Sequence, residues 1–258
     1  MTLYLVTKGI AAGVAMLAPF AGRLGLPTNR AGWLPEVLAL IFIGITGILL
    51  VEDLKKPLAF IRLFTRPNWK SWLVKGAWII NAFVAITLLS VLFRWLGSDV
   101  LANILRWINV LAGAAVAGYT AFLFNQCEGR DLWQSKLLLP HLIAQALMCG
   151  AAVLAIWALN SPDEAFSGVY LFAAISHVLF AAYEIFRRHH TDNATQAVAG
   201  LDVVRIGPLP ALRVSVVLVL ISLFCIFLGL SHFVFIPALL ALLMYEPAFI
   251  RAGQLPPL

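Results

Sequence analysis

The sequence predicts an all-α integral membrane protein with eight transmembrane helices. Of its 258 residues, 62% are hydrophobic and 12% are charged, whereas soluble domains carry about 25% charged residues. Eight apolar stretches each approach the roughly 17–25 residues that a helix needs to cross a bilayer. These stretches cover residues 3–22, 34–53, 76–96, 101–125, 137–159, 168–187, 211–229 and 231–249. Too few polar residues remain for a soluble domain, so residues 1–258 are expected to form a single transmembrane domain.

Lysine and arginine are concentrated on one side of the predicted bundle, and two interpretations fit. With eight spans, both termini and the even-numbered loops share a side, and that side carries most of the basic residues. The positive-inside rule places such a side in the cytoplasm. Alternatively, the side is basic because an acidic partner subunit docks there. Charge alone does not separate these interpretations.

The first helix combines small residues with one cation. Gly9 and Gly13 have the GxxxG spacing that lets membrane helices approach closely, and we interpret it as ordinary helix packing. Lys8 lies about one turn inside the apolar stretch, so it either snorkels to the membrane surface or pairs with an acid inside the bundle. Further spans follow, so this stretch is expected to be a retained helix rather than a cleaved signal peptide.

The loop between the second and third helices, residues 54–75, mixes cations with aromatic side chains. Such a mixture is typical of the interfacial belt of a membrane protein. It is also typical of a docking surface, because aromatic residues and arginine dominate interface hot spots. With the turn near residue 130, the loop supplies the candidate docking residues Arg62, Arg66, Trp69, Lys70, Trp72, Arg130 and Trp133. Nucleic acid is an unsuitable partner, because this face lies against a bilayer.

The stretch from Tyr119 to His141 is predicted to be a hairpin of two membrane helices around a polar turn. At about 1.5 Å rise per residue, both named residues lie within about 10 Å of that turn, just inside the apolar layer. Ionisable groups are costly in lipid and are therefore functional candidates. Those at helix ends on this face are Lys8, Glu52, Asp53, Asp131, His141, Glu184 and Glu246.

Quinone chemistry suits this set of side chains. A quinone head needs hydrogen-bond donors for two carbonyl oxygens, an apolar slot and a proton route. Tyr119 with His141 or Tyr4 supplies donors, and Glu52 or Asp131 supplies a carboxylate that relays protons.

Other cofactors and activities fit less well. A bis-histidine haem needs two histidines at similar depth, whereas His141 is placed near one surface, His177 near the midplane and His232 near the other surface. The three cysteines show no paired spacing, so a cysteine-bound cluster is not expected, and no metal motif is present. An ion transporter is disfavoured because there is no clear internal repeat and the midplane is poor in charge.

Three blocks of sequence resemble one family in order along the chain. The first block runs from Asp53 to Trp72 and closes with Gly76-Ala77-Trp78. The second runs from Gly118 through Glu128-Gly129-Arg130-Asp131-Leu132-Trp133 to Leu139-Pro140-His141-Leu142. The third is Arg251-Ala252-Gly253-Gln254, near the end of the sequence. Together they resemble the NrfD-type membrane subunit, also called the polysulfide-reductase anchor family. The resemblance covers essentially the whole chain.

The resemblance implies an eight-helix subunit, built as two four-helix bundles, in a bacterial or archaeal cytoplasmic membrane. Such a subunit exchanges electrons and protons with the menaquinone or ubiquinone pool and carries no haem or other redox cofactor. It docks an iron–sulfur subunit of the four-cluster ferredoxin type, which serves a molybdopterin enzyme or a multihaem cytochrome. The quinone-pocket tyrosine of the family falls on Tyr119, and Tyr4 stands where polysulfide-reductase members carry a histidine. In many members the docking side faces the periplasm, against the charge rule.

The sequence therefore predicts a quinone-reactive anchor of a respiratory oxidoreductase. The predicted quinone-binding residues are Tyr119, His141, Tyr4 and Asp131. The predicted proton relays are Glu52, Asp53, Glu184, Glu246 and His177. A proton-translocating subunit and a purely structural anchor remain the alternatives.

Overall fold

The computed structural model describes residues 2–27, 31–52, 62–157, 164–187 and 191–255, and most of these are helical. The helices are α1 (Thr2–Leu17), α2 (Leu34–Glu52), α3 (Arg62–Thr65), α4 (Trp72–Trp95), α5 (Asp99–Asn125), α6 (Leu138–Leu154), α7 (Glu164–Phe186), α8 (Asp192–Ala199), α9 (Ala211–Phe227) and α10 (Phe235–Gln254). A short antiparallel pair, β1 (Arg205–Ile206) and β2 (Leu209–Pro210), turns at Gly207, whose φ of +58° favours glycine.

Seven helices in the described part of the chain are long and apolar enough to cross a membrane, in some cases with a short 3-10 turn at one end. They coincide with seven of the predicted spans. The remaining predicted span, residues 211–229, forms α9, an apolar helix of 17 residues. The chain is therefore a mostly helical, multi-pass membrane protein, and the total of eight spans stays a prediction.

Helix α9 shows how these helices are adapted to lipid. Its buried residues, Ala211, Ser215, Val219 and Ser222, recur every three or four positions and so form one face. Its large side chains, such as Phe224, point outward and are exposed. Small residues inside and large apolar residues outside are expected where helices pack in a bilayer, because lipid tails solvate apolar side chains as well as a protein core does.

Helix α1 lies at the centre of the protein and contacts α2, α5, α6 and α10. Its closest approach is to α6, where Gly13 meets Ala146 and Gly150. A Cβ atom on Gly13 would lie 1.7 Å from the Ala146 carbonyl oxygen, and one on Gly150 would lie 2.2 Å from the Gly13 carbonyl carbon. The two backbones are therefore in direct contact, so the close helix approach predicted from the GxxxG spacing is confirmed at Gly13.

The turn after α5 contacts the C-terminal end of α10. Arg130 Nη1 donates hydrogen bonds to the carbonyl oxygens of Gly253 at 3.3 Å and Gln254 at 2.8 Å. Such a cation satisfies the last carbonyl groups of a helix and complements its dipole. Helix α10 continues past its predicted end at residue 249, and Pro247 does not terminate it. The turn and the end of α10 lie at the same end of the bundle.

Candidate functional site

Lys8 is buried in the bundle and does not snorkel to the surface. It is 2% exposed, and its Nζ donates hydrogen bonds to the Ala117 carbonyl oxygen at 3.2 Å and to the Thr120 hydroxyl. The same atom lies 4.7 Å from the centre of the Tyr119 ring and 5.8 Å from that of Tyr4. The buried amino group of Lys8 is thus held by oxygen atoms of α5 and lies against two aromatic rings.

The ring of Tyr119 is held in place by a glycine. A Cβ atom on Gly76 of α4 would lie 2.4 Å from Cε2 of Tyr119, so only glycine leaves space for the ring. Tyr119 and Tyr4 are 3% and 7% exposed and belong to one apolar cluster. The structure therefore brings together two of the predicted quinone-binding residues around Lys8, a residue that the sequence did not assign to the site.

A small cavity links Lys8 to Glu246 on α10. It measures about 10 Å³, which is room for about one water molecule, and Gln145 and Cys149 of α6 also line it. Lys8 and Glu246 both line this cavity, and each is buried. Of the two options that the sequence left for Lys8, the structure selects the interior position near an acid.

His141 contacts a second histidine. Its Nε2 lies 2.7 Å from Nδ1 of His177, and both residues are 2% exposed. The ring of Tyr245 packs edge-on against both imidazoles, with centroid distances of 5.4 Å and 4.9 Å. His141, His177 and Tyr245 thus form one buried cluster contributed by α6, α7 and α10, which we call the histidine pair cluster.

This contact corrects the depths derived from the sequence, which placed His177 near the midplane and His141 near one surface. Depth counted along each helix from its own end does not include the shift of one helix relative to its neighbour. The unequal depths predicted for His141 and His177, which counted against a haem, are therefore wrong. The 2.7 Å separation still leaves no room for a metal ion, whose bonds to imidazole nitrogens are about 2 Å each. Within the described residues, no group of three potential metal ligands occurs.

The predicted acidic residues occupy different environments. Glu184 is buried, accepts a hydrogen bond from the Ser135 hydroxyl and pairs with Arg187 at 3.1 Å. Asp131 accepts a hydrogen bond from Thr191 and so ties the polar turn to the start of α8. Glu52 is exposed at the end of α2, and Asp53 lies outside the described residues.

The predicted docking residues divide into an exposed set and an inward-facing set. Arg66, Trp69 and Lys70 are exposed, and the Trp69 ring lies 5.8 Å from that of Trp78. Helix α4 begins at Trp72, earlier than predicted, and the Trp72 N–H donates to Gln126 Oε1 at 2.8 Å.

Two other docking candidates hold the polar turn together. The Trp133 ring is buried and stacks on Phe124 at 4.8 Å, and Arg130 contacts the end of α10. The side chain of Arg62 is not among those described. A docking role for all of these residues stays a prediction.

A buried ion pair lies at the opposite end of the bundle and was not expected from the sequence. Arg106 Nε donates to Glu36 Oε1 at 2.5 Å, and its Nη2 donates to the Gly32 carbonyl oxygen at 2.6 Å. Nearby on α5, Asn109 donates to the Thr87 hydroxyl at 2.8 Å. Hydropathy alone gives no signal for this pair, because each residue lies near the end of an apolar stretch.

Comparison with known proteins identifies the family. No curated protein matches the chain. The family model described as "Polysulphide reductase, NrfD" matches residues 1–250. Members of this family are membrane subunits of respiratory oxidoreductase complexes, partner with iron–sulfur and molybdopterin oxidoreductase subunits, and work with quinones. Since the match covers almost the whole length, the chain belongs to the NrfD family of polysulphide reductase membrane subunits.

Proposed function

We propose that this chain is the quinone-reactive membrane subunit of its complex and passes electrons between the quinone pool and a docked iron–sulfur subunit. The observation that carries the proposal is the position of Lys8, buried between the rings of Tyr4 and Tyr119. Tyr4, Lys8 and Tyr119, contributed by α1 and α5, each carry a hydrogen-bond donor, and the two carbonyl oxygens of a quinone accept such bonds. Tyr119 and Tyr4 hold the quinone head, and Lys8 lies between them.

A buried ammonium beside the head favours reduction chemistry. Interconversion of quinone and quinol transfers two electrons and two protons. Negative charge that develops on a carbonyl oxygen is stabilised by a fixed cation in a site from which water is excluded. The role of Lys8 in this proposal is to supply that cation.

Protons leave or reach the head through the buried polar groups behind it. The cavity between Lys8 and Glu246 connects the head site to α10, and Gln145 on its wall lies about one turn from His141. His141 then contacts His177. In this proposal Glu246 and His177 are the inner proton relays, and His141 lies between the quinone head and His177.

The remaining predicted acidic residues act near the membrane surface. Glu184, hydrogen-bonded to Ser135, relays protons at the end of α7, and Glu52 and Asp53 do so at the end of α2. Asp131 supports the quinone site indirectly, through its hydrogen bond to Thr191 in the polar turn.

Electrons cross at the exposed aromatic and basic surface formed by Arg66, Trp69 and Lys70, with Arg62 as a further candidate. This surface and the polar turn around Arg130 and Trp133 dock a four-cluster ferredoxin-type subunit, which serves a molybdopterin enzyme or a multihaem cytochrome. Exposed tryptophan and arginine are frequent anchors of protein interfaces.

The proposal includes eight spans, arranged as two four-helix bundles of one domain, in a bacterial or archaeal cytoplasmic membrane. The bundles are α1, α2, α4 and α5, followed by α6, α7, α9 and α10. The contact between Arg130 and the end of α10 supports this arrangement, because it joins the two ends of a segment with four long helices. Arg130 and Gln254 lie on the same side of the membrane only if an even number of the helices between them crosses it. This requires α9 to cross as well as α6, α7 and α10. At 17 residues, α9 reaches the lower limit of about 17 residues for a crossing.

The test is quinol turnover by the intact complex carrying Tyr119→Phe, which removes only the hydroxyl. Loss of a buried hydrogen bond to the head predicts a decrease of about tenfold or more. Tyr183→Phe is the matched control, because Tyr183 is exposed on α7. If both Tyr119→Phe and His141→Ala leave quinol turnover unchanged, the site assignment is wrong.

A second candidate function is proton translocation, favoured by the cavity that joins Lys8 of α1 to Glu246 of α10. It is tested in sealed vesicles containing the complex, where Glu246→Gln should lower the number of protons moved per electron. A complex that transfers electrons without moving protons would contradict it. A purely structural anchor would instead contain no bound quinone and resist quinone-site inhibitors.

A further inference from the structure

A crevice separates α7 from α9 on the lipid-facing side of the protein. Helix α7 packs mainly on α6 and α9 packs mainly on α10. The two helices also meet each other, where the Tyr170 hydroxyl of α7 donates to Ser222 Oγ of α9 at 2.7 Å, and the crevice lies beyond this contact. The crevice has a volume of about 690 Å³, within the range of about 300–1,000 Å³ found for small-molecule sites. Its rim is apolar and open, because Phe186, Val216 and Val217 are 84%, 46% and 54% exposed.

The inner wall of the crevice carries two polar side chains of the histidine pair cluster, His177 and Tyr245. Nδ1 of His177 is engaged with His141, so Nε2 is the polar atom that His177 offers to a ligand. Tyr245 contributes a hydroxyl group. An apolar crevice that only accommodated lipid tails would need neither group, because hydrocarbon offers no hydrogen-bond partner.

An ion pair lies at the membrane-surface end of the crevice. Arg213 Nη2 pairs with Asp202 Oδ2 at 2.7 Å, and both residues line the crevice. A phosphate headgroup would have to compete with the Asp202 carboxylate for this exposed cation. The polar groups for a ligand therefore lie at the inner end of the crevice, which suits a molecule with a polar head inside and an apolar tail outside.

We propose that this crevice is a second binding site for a prenylated quinone or quinol, with its head on His177 and Tyr245. Its tail leaves between α7 and α9, past Val216 and Val217, into the lipid. The ligand class rests on the proposed function, whereas the site itself is separate from the Tyr4, Lys8 and Tyr119 group. Buried polar groups run from Lys8 to His141, and His141 contacts His177. A quinone head bound in the crevice would therefore lie at the opposite end of this series from Lys8.

The experiment is photolabelling of the intact complex with a prenylated azidoquinone, followed by mapping of the labelled peptides by mass spectrometry. Labels are expected on α7 or α9 residues that line the crevice. Ala182→Phe fills the crevice and should reduce this labelling by about tenfold, and Tyr245→Phe should reduce it by removing one hydrogen bond. Leu179→Phe is the matched control, because Leu179 is 62% exposed on α7 and does not line the crevice.

Competition identifies the occupant. An excess of non-photoreactive decylubiquinone should abolish the labelling of α7 and α9, and added phosphatidylglycerol should not. Displacement by the phospholipid, absence of label from both helices, or equal labelling in Ala182→Phe would each overturn the proposal.

Tyr119→Phe separates this proposal from the proposed function. It should leave the crevice label unchanged while it lowers quinol turnover. Crevice labelling with normal turnover in Tyr119→Phe would contradict the proposed function alone.

Discussion

The ammonium group of Lys8 lies 4.7 Å from the centre of the Tyr119 ring, in the interior of the bundle. This relationship predicts that Lys8→Met lowers quinol turnover by about a hundredfold, because a fixed cation no longer stabilises charge on the quinone oxygen. The measurement is turnover by purified complex, normalised to the amount assembled. Lys75→Met is the control, since Lys75 lies over the Trp72 ring at the start of α4. Equal turnover in the Lys8 and Lys75 variants would contradict the role of the cation.

Gly76→Ala is predicted to weaken quinone binding without preventing assembly. The new methyl group would lie 2.4 Å from the Tyr119 ring, so the ring must move away from its site. We expect the apparent KM for quinol to rise by about tenfold, as for a displaced hydrogen-bond donor. Gly44→Ala provides the comparison, because a Cβ atom at Gly44 meets nothing within 4 Å. An unchanged KM in Gly76→Ala would show that the tyrosine position is unimportant.

Gly150→Ala is predicted to destabilise the whole subunit. Its methyl group would lie 2.2 Å from a backbone atom of Gly13, which cannot rotate away as a side chain does. Overpacking of this kind costs about 1–3 kcal/mol. The expected result is a lower thermal unfolding midpoint in detergent, with Gly47→Ala as the lipid-facing control. A midpoint equal to that of the control would show that the two helices separate more readily than the contact implies.

Labelling of two cysteines tests whether α9 crosses the membrane. Cys127 is exposed in the polar turn, and Leu255→Cys places a second thiol beyond α10. With Cys149 and Cys225 replaced by alanine, a membrane-impermeant maleimide should reach both thiols from the same side of sealed vesicles. Labelling from opposite sides would mean that α9 does not cross, because three crossings would then separate the two positions.

The exposed basic surface predicts a salt-sensitive interface. Arg66→Glu combined with Lys70→Glu should release the iron–sulfur subunit at lower salt, because surface charge pairs are screened within about 8 Å at physiological ionic strength. Co-purification across a salt titration measures this. Arg205→Glu is the control, since Arg205 is an exposed cation in the β1 strand. Release of the subunit in the control as well would indicate a general effect of net charge.

The sequence predicted those features that depend on local composition. Seven spans coincide with apolar helices, because a helix that crosses lipid needs a long apolar stretch wherever it packs. The contact between His141 and His177 could not be predicted, since it depends on the relative levels of two helices. The crevice beside Tyr245 was missed for a similar reason: it exists because α7 and α9 pack mainly on other helices, and no residue pattern within either helix signals that.

The backbone contact between Gly13 and Gly150 also restricts how the protein can work. No side chains separate α1 from α6 at this point, so none can repack if one helix moves relative to the other. Because α1 and α6 meet backbone to backbone here, we expect a proton that crosses the bundle to be passed between fixed side chains rather than carried by a moving helix.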